Sequence, residues 1–345
     1  YVMPGLMDVH NHHLLAGQMD LFELDAPPTL SLEELLEKVS TYAAGLGPEE
    51  WVVGGSWGSG LLGQLNDLDA RARLDAATGG RPVLLKDDSK HNRWASTRAL
   101  ELAGIQDNTP DPEGGQILRD AGGQATGVLL EAGGVLVEQA LARLHPSSTQ
   151  DLARAAARGI EILHSYGITA FQDAAASLQL MQALKALDDA EQLHAWVVTS
   201  MQANDFIFGT TPLGEDIIAH RDETRSTHHR PDFIKIFLDG VPPAGTGAFL
   251  EPYLPESGFP ACHCGTTTMD PSELEDWLLR TAERGISAKI HCTGDASVRL
   301  VLDTVAKIRA AGHTEPKYHI AHGQFVHPDD IARFAELDVT ADISP

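Results

Sequence analysis

Four histidines in three short segments carry the clearest chemical signal in this 345-residue sequence. Asp8-Val9-His10-Asn11-His12 closes an apolar run that reads as a strand from Leu6 to His12. Side chains alternate along a strand, so Asp8, His10 and His12 share one face, with the histidines at the C-terminal end. Two imidazoles so spaced can bind one metal ion, although two polar residues entering a turn have the same spacing. His291 ends a second strand-like run, Ile286 to His291, and His322 ends a third, Tyr318 to His322. A single strand-end histidine is commonly a packing or hydrogen-bonding residue. Four of them on three strand ends point to a shared ligand, and neutral imidazole is the commonest metal-binding side chain.

Lys235 adds a different group. In Phe233-Ile234-Lys235-Ile236-Phe237-Leu238-Asp239 the aliphatic residues form one face and Phe233, Lys235, Phe237 and Asp239 the other. The aliphatic face suits a helix layer, which turns Lys235 toward the interior. A buried ammonium without a partner is costly or loses its proton. Two readings stand: an ion pair with Asp239 or Asp173, or a neutral amine that has reacted with carbon dioxide. A carboxylated lysine is anionic and can bridge two metal ions.

These residues need a scaffold that delivers strand ends to one place. From Ser148 onward the pattern alternates. A helix behind the Ser148/Asp151 capping-box spacing runs to Gly167, and a strand follows from Ile168 to Asp173. Further strands are predicted at His194 to Ser200, Phe233 to Asp239, Ile286 to His291, Tyr318 to His322 and Val339 to Ile343, with helices between most of them. Repeated strand-then-helix units mean a parallel sheet. With the first strand the total is about seven, where a closed barrel needs eight. The fold expected is an α/β, TIM-like (β/α)8 barrel. Residues 1–18 supply its first strand and 148–345 its strands 2–7. Residues 19–147 are an insertion, with a helix from Leu32 to Leu46 behind the Ser31/Glu34 capping box and a strand-like Pro82 to Lys86. Insertions at this point are expected over the C-terminal face, where barrel enzymes keep their active sites. The chain opens on Tyr1 and stops at Pro345 inside apolar runs, so it is expected to be truncated at both ends, with strand 8 not seen.

Composition narrows the function classes. Hydrophobic residues are 43% of the chain, enough for a sizeable core, and 25 basic against 49 acidic residues give a net charge of −24. That charge argues against nucleic acid and anionic membranes, which need a basic footprint. Three cysteines cannot form a disulfide framework, so a reducing, cytoplasmic setting is expected. Cys262-His263-Cys264 lacks a second cysteine pair to close a structural zinc site. His228-His229 reads as part of a solvated, charged loop. Glu131 reads either as a contact to substrate or metal or as an ordinary loop carboxylate.

Met3-Pro4-Gly5-Leu6-Met7-Asp8-Val9-His10-Asn11-His12 resembles the opening motif of the amidohydrolase superfamily. Further stretches narrow the resemblance to amidohydrolase family 3, the YtcJ-like group that includes N-substituted formamide deformylases. They are Trp51 to Trp57, His91 to Leu100, Thr126 to Glu131, Gly167 to Asp173, Ile234 to Gly240, His291 to Asp295 and Ile320 to Gln324, in the family's order. The resemblance implies a barrel of the metal-dependent hydrolase type with an added β-sandwich. It implies one or two Zn²⁺ ions, with other divalent metals also accommodated. His10 and His12 match the first-strand ligands, Lys235 the carboxylated lysine, and His291 and His322 the ligands of strands five and six. Trp57 and His91 match positions over the substrate pocket. The family often reads Arg-Ile-Glu-His-Ala-Gln where His319-Ile320-Ala321-His322-Gly323-Gln324 stands, which changes the surroundings of His322. The superfamily's catalytic strand-eight aspartate is not in the chain, and neither Asp295 nor Asp342 is given its role. The implied activity is hydrolysis of an amide-type C–N bond in a small molecule such as an N-substituted formamide or N-acyl amine. A mononuclear deaminase or cyclic-amide hydrolase, and a catalytically inactive homologue, are the alternatives. Assembly as a homodimer stays open.

Overall fold

The structure, a computed structural model, describes residues 2–47, 49–205, 207 and 209–344; Tyr1 and Pro345 lie outside the described residues. The chain divides into two compact units. The first comprises Tyr1–Gly17, Thr149–Asp205 and Thr210–Pro345, and the second Gln18–Ser148 and Phe206–Gly209. Among the described residues the strands are β1 (Leu6–Asn11), β2 (Val52–Trp57), β3 (Val83–Asp87), β4 (Asn92–Ala95), β5 (Gly115–Arg119), β6 (Ala125–Glu131), β7 (Ile168–Ala176), β8 (Trp196–Gln202), β9 (His229–Phe237), β10 (Ser287–Cys292), β11 (Tyr318–His322) and β12 (Val339–Asp342).

The first unit is a TIM-like α/β fold. Its seven strands pair in the order β1-β7-β8-β9-β10-β11-β12, every neighbour parallel. Parallel neighbours require crossovers, and the sequence supplies them with marked ends. Helix 178–189 starts at Ser177, whose hydroxyl accepts from Leu180 N. Helix 271–283 starts at Asp270, which accepts from Ser272 N and Glu273 N, with Pro271 in its first turn. The core lies between sheet and helices. Ile234, Ile236 and Leu238, then Ala288, Ile290 and Cys292, then Tyr318 and Ile320 pack there with Leu274, Leu278, Val298, Val301 and Val305. Each large aliphatic side chain so buried contributes about 1.5–3 kcal/mol.

Because these residues take one face, their alternates take the other. The register aligns Lys235 with Lys289 and Lys289 with His319. The next layer aligns Phe237, His291, Ala321 and Asp342. The interior placement expected for Lys235 follows from this alternation, and Lys235 is 1% exposed. The sheet nearly closes: Lys289 Nζ donates to Val9 O at 2.8 Å, reaching the first strand from the fifth.

Some sequence expectations shift. β7 runs on to Ala176 and β9 starts at His229, earlier than Phe233. His229 is not a solvated loop residue. It is fully buried, accepting at Nε2 from Thr199 Oγ1 (2.8 Å) and donating from Nδ1 to Thr224 O (2.9 Å). Two satisfied ring nitrogens remove the reason for it to face water.

The second unit holds a five-stranded mixed sheet, β2-β3-β4-β6-β5, of which the sequence reading saw β3. β4 escaped because its polar residues are inside. Arg93 is 1% exposed and pairs with Glu138 at 2.6 Å, and Asn92 Nδ2 donates to Asp87 at 2.7 Å. The Ser31/Glu34 capping box is formed, over a helix 32–43.

Candidate metal centre

The first pair of histidines is set by a local turn. Asp8 Oδ1 accepts from His10 N at 3.0 Å, and Asp8 Oδ2 accepts from Asn11 Nδ2 at 3.2 Å. β1 ends at Asn11, so His12 lies just beyond the strand, its ring centroid 5.6 Å from that of His10. The other two arrive from β10 and β11. The His322 ring lies 4.9 Å from His10 and 4.6 Å from His291. Strict alternation would put His322 on the helix side with Tyr318 and Ile320. Its φ of 72° breaks that alternation, and the ring meets the interior histidines instead.

The four imidazoles thus form a chain, His12–His10–His322–His291. Burial pushes the first two well down, His10 to about 3 and His12 to about 4, so both are neutral at pH 7. Neutral imidazole is the form a metal needs. His10 Nδ1 bonds Asp342 Oδ2 at 2.9 Å, and His322 Nδ1 donates to Ser344 O at 2.8 Å, which leaves Nε2 on each ring as the lone-pair atom. His291 Nε2 donates to Gly240 O at 3.1 Å. Among the described residues no three His, Cys, Asp or Glu side chains form a ready-made cage for a metal ion. The donors are gathered, with His291 still turned onto a carbonyl.

Lys235 completes the group. Its Nζ lies 4.7 Å from the Phe237 ring centroid, and among the described residues it makes no ion pair. The ion pair with Asp239 or Asp173 is absent because both acids are engaged. Asp239 accepts from Ala248 N, Thr293 N, Gly294 N and Ser297 Oγ at 2.8–3.0 Å. Asp173 Oδ2 accepts from His13 Nδ1 at 2.8 Å. Burial, and then the nearby Lys289 cation, push the Lys235 amine down to about 7. A lysine held near neutrality beside neutral imidazoles fits a metal site that includes a carboxylated lysine.

Sequence reasoning missed several residues here. Lys289 is fully buried and its ammonium bonds Asp342 Oδ2. The signal was available: Lys289 precedes His291 by two, the alternation argument already applied to Lys235. Burial pushes the Asp342 carboxyl up, but bonds from His10 and Lys289 hold it well below the usual carboxylate range. Asp295 ties a loop instead, accepting from Leu250 N at 2.9 Å.

In the second unit, His91 Nδ1 bonds Glu131 Oε2 at 2.7 Å, and both residues are buried. Glu131 is no ordinary loop carboxylate, since it ends β6 with a φ of 49°. Trp57, expected over the pocket, is part of its unit's core, 2% exposed, with Nε1 donating to Leu85 O at 3.4 Å. Among the described residues no helix is long and apolar enough to cross a membrane.

Comparison with known proteins bears on this arrangement. The profile described as "Amidohydrolase family" matches residues 1–345. N-substituted formamide deformylase of Arthrobacter pascens is 28% identical over all of this chain and 62% of its own length. Protein LONG AFTER FAR-RED 3 of Arabidopsis thaliana is 24% identical, over all of this chain and 58% of its own. The chain therefore spans about 60% of these relatives. The crystal structure of an uncharacterized metal-dependent hydrolase from Pyrococcus horikoshii OT3 superposes with a TM-score of 0.68 at 21% identity, covering 98% of this chain and 62% of that one.

Proposed function

The chain belongs to the amidohydrolase family, and from that premise we propose that it is a metal-dependent hydrolase of an amide-type C–N bond. N-substituted formamides and N-acyl amines are the leading substrates, in keeping with the deformylase relative. The observation that carries the reading is the gathering of four imidazoles beside a buried lysine that makes no ion pair among the described residues.

His10, His12, His291 and His322 would hold one or two Zn²⁺ ions, together with Lys235 once carboxylated. A bound divalent ion supplies a water whose pKa is near neutral and polarises the substrate carbonyl. The chain's own residues prepare for this. Burial keeps His10 and His12 unprotonated. Lys235, lowered to about 7, carries a free lone pair on Nζ in roughly half of the molecules at pH 7. That lone pair attacks the carbon of CO₂, the N–C bond forms, one C=O π bond opens onto oxygen, and a proton leaves nitrogen. His91, whose Nδ1 bonds Glu131 Oε2, is proposed as a substrate-binding residue. The partner is a small molecule, without nucleic acid or membrane, and a cytoplasmic homodimer is the proposed state.

A second reading has a mononuclear deaminase or cyclic-amide hydrolase with Lys235 as a free amine. The Phe237 ring 4.7 Å from Nζ favours it, since an ammonium gains from an aromatic face. Metal analysis and turnover of the His10→Ala and His291→Ala variants test the first reading, and full turnover without bound metal in either defeats it. A ¹³C-carbamate resonance that disappears in Lys235→Met separates the two.

A further inference from the structure

Asp342 stands at the end of β12 and yet engages two other strands. Its Oδ2 bonds His10 Nδ1 of β1 at 2.9 Å and also the Lys289 ammonium of β10. Lys289 in turn donates to Val9 O, the carbonyl next to His10, at 2.8 Å. Lys289 is fully buried and Asp342 is 3% exposed. A carboxylate and an ammonium this deep hold each other by charge, and neither is tolerated alone.

We propose that Lys289 and Asp342 are positioning residues that fix the His10 imidazole with its proton on Nδ1 and its lone pair on Nε2. The carboxylate accepts from Nδ1–H, and a ring whose proton is held there has Nε2 as its available donor atom. Lys289 supplies the countercharge and anchors the β1 backbone on the same ammonium, so carboxylate and imidazole are set from both sides. Ser344 stands at both rings: its Oγ lies 3.2 Å from His10 Nδ1, beside the shorter Asp342 contact, and its carbonyl accepts from His322 Nδ1 at 2.8 Å. The end of the last strand and the residues just beyond it thus contact two of the four imidazoles at their Nδ1 atoms. The proposal rests on the metal-centre reading, and its test is separable from it.

The test uses Zn²⁺ alone as probe, with Asp342→Asn, Lys289→Met and the charge-neutral double variant Lys289→Met/Asp342→Leu. Long-range ¹H–¹⁵N correlation on the metal-free protein reads the His10 tautomer. Chelator competition reads Zn²⁺ affinity. In Asp342→Asn the amide presents either oxygen or NH₂ to the ring, so the tautomers mix and Zn²⁺ affinity falls about 10- to 100-fold. The double variant carries no buried unpaired charge, so it keeps the fold and shows the same loss. Wild-type affinity and an unchanged tautomer in Asp342→Asn and in the double variant, with a lowered Tm alone, would overturn the proposal and leave a structural ion pair. If the wild type binds no Zn²⁺, the metal-centre reading fails, while the tautomer in the metal-free protein still decides for or against the brace.

Discussion

Lys235 and Lys289 stand directly opposite each other on neighbouring parallel strands, and both are buried. Lys289 has an anion, Asp342, and Lys235 has an aromatic ring. Two like charges in adjacent register positions repel, and the repulsion falls on the lysine without the ion pair. Lys235 therefore weakens the fold where it stands, a cost in keeping with the reactive amine proposed for it.

That tension gives a stability prediction. Lys235 is lowered from 10.5 to about 7, first by burial and then by Lys289. Between those values the unfolded chain holds the proton and the folded chain does not, so stability rises as pH rises through the window. Lys235→Met removes the effect and fills a similar volume. The variant is expected to be more stable than wild type at pH 7 by about 1–4 kcal/mol, with the gap closing toward pH 10. Urea denaturation of metal-free protein across this range checks it, and parallel curves for the two proteins would count against it.

His229 makes the opposite end of the pH scale informative. Burial lowers it from 6.5 to about 4. Below 6.5 the unfolded chain takes up a proton that the folded chain refuses, so stability falls as pH falls through 6.5 to 4. The loss is on the order of 2–3 kcal/mol for this residue. His229→Gln keeps an amide within reach of Thr199 and Thr224 and cannot titrate. Its stability is expected to start lower at pH 7 and to decline less between pH 6.5 and 4. An acid limb as steep as that of wild type would show that His229 does not control it.

Whether a feature is legible in the sequence depends on where each residue gets its constraint. Strand alternation placed Lys235 inside, because Ile234, Ile236 and Leu238 state the opposite face in the sequence itself. Gly285 and Gly312 each follow a helix and so mark off in the sequence the strands that carry His291 and His322. His322 is different: its ring reaches the cluster through a positive φ that no periodicity reports. The Asp342–His10 contact joins residues 332 positions apart and depends on how far the sheet curls, which is a property of the assembled strands. β4 was hidden because buried Asn92 and Arg93 look like loop residues until Asp87 and Glu138 arrive.

A glycine seam holds the first strand's exit. A Cβ on Gly159 would lie 2.1 Å from His13 O, and one on Gly17 would lie 1.8 Å from Ala155 O. The helix 13–22 and the helix 149–165 touch backbone to backbone there. Gly159→Ala gains helix propensity of about 1 kcal/mol but must part the two helices. A net loss of about 2–4 kcal/mol is expected, as for other overpacked or displaced contacts. Because His13 carries the ring that bonds Asp173, ¹⁵N shifts of His12 and His13 should move with it. Unchanged stability and shifts would mean that the helices separate freely.

Trp57 and His91 were both expected at the substrate pocket, and their surroundings now assign them different effects. Trp57 lies among Val52, Leu61, Val83, Leu85 and Trp94 in the core of the second unit. Trp57→Ala should cost about 3–5 kcal/mol and lower activity in proportion to the folded fraction. His91 is held by Glu131, whose backbone sits in the left-handed region at φ 49°, a conformation a non-glycine residue keeps at a cost of about 1–3 kcal/mol. His91→Gln leaves an amide donor near Glu131, so the fold should be within about 1 kcal/mol of wild type. kcat/KM should nevertheless fall tenfold or more, the size expected for loss of an aimed hydrogen-bonding group, with metal content unchanged. Parallel measurement of unfolding, metal content and turnover separates the two residues. A His91→Gln variant with wild-type kcat/KM would reduce the His91–Glu131 pair to an internal support of its unit, and the substrate would have to be held by other groups.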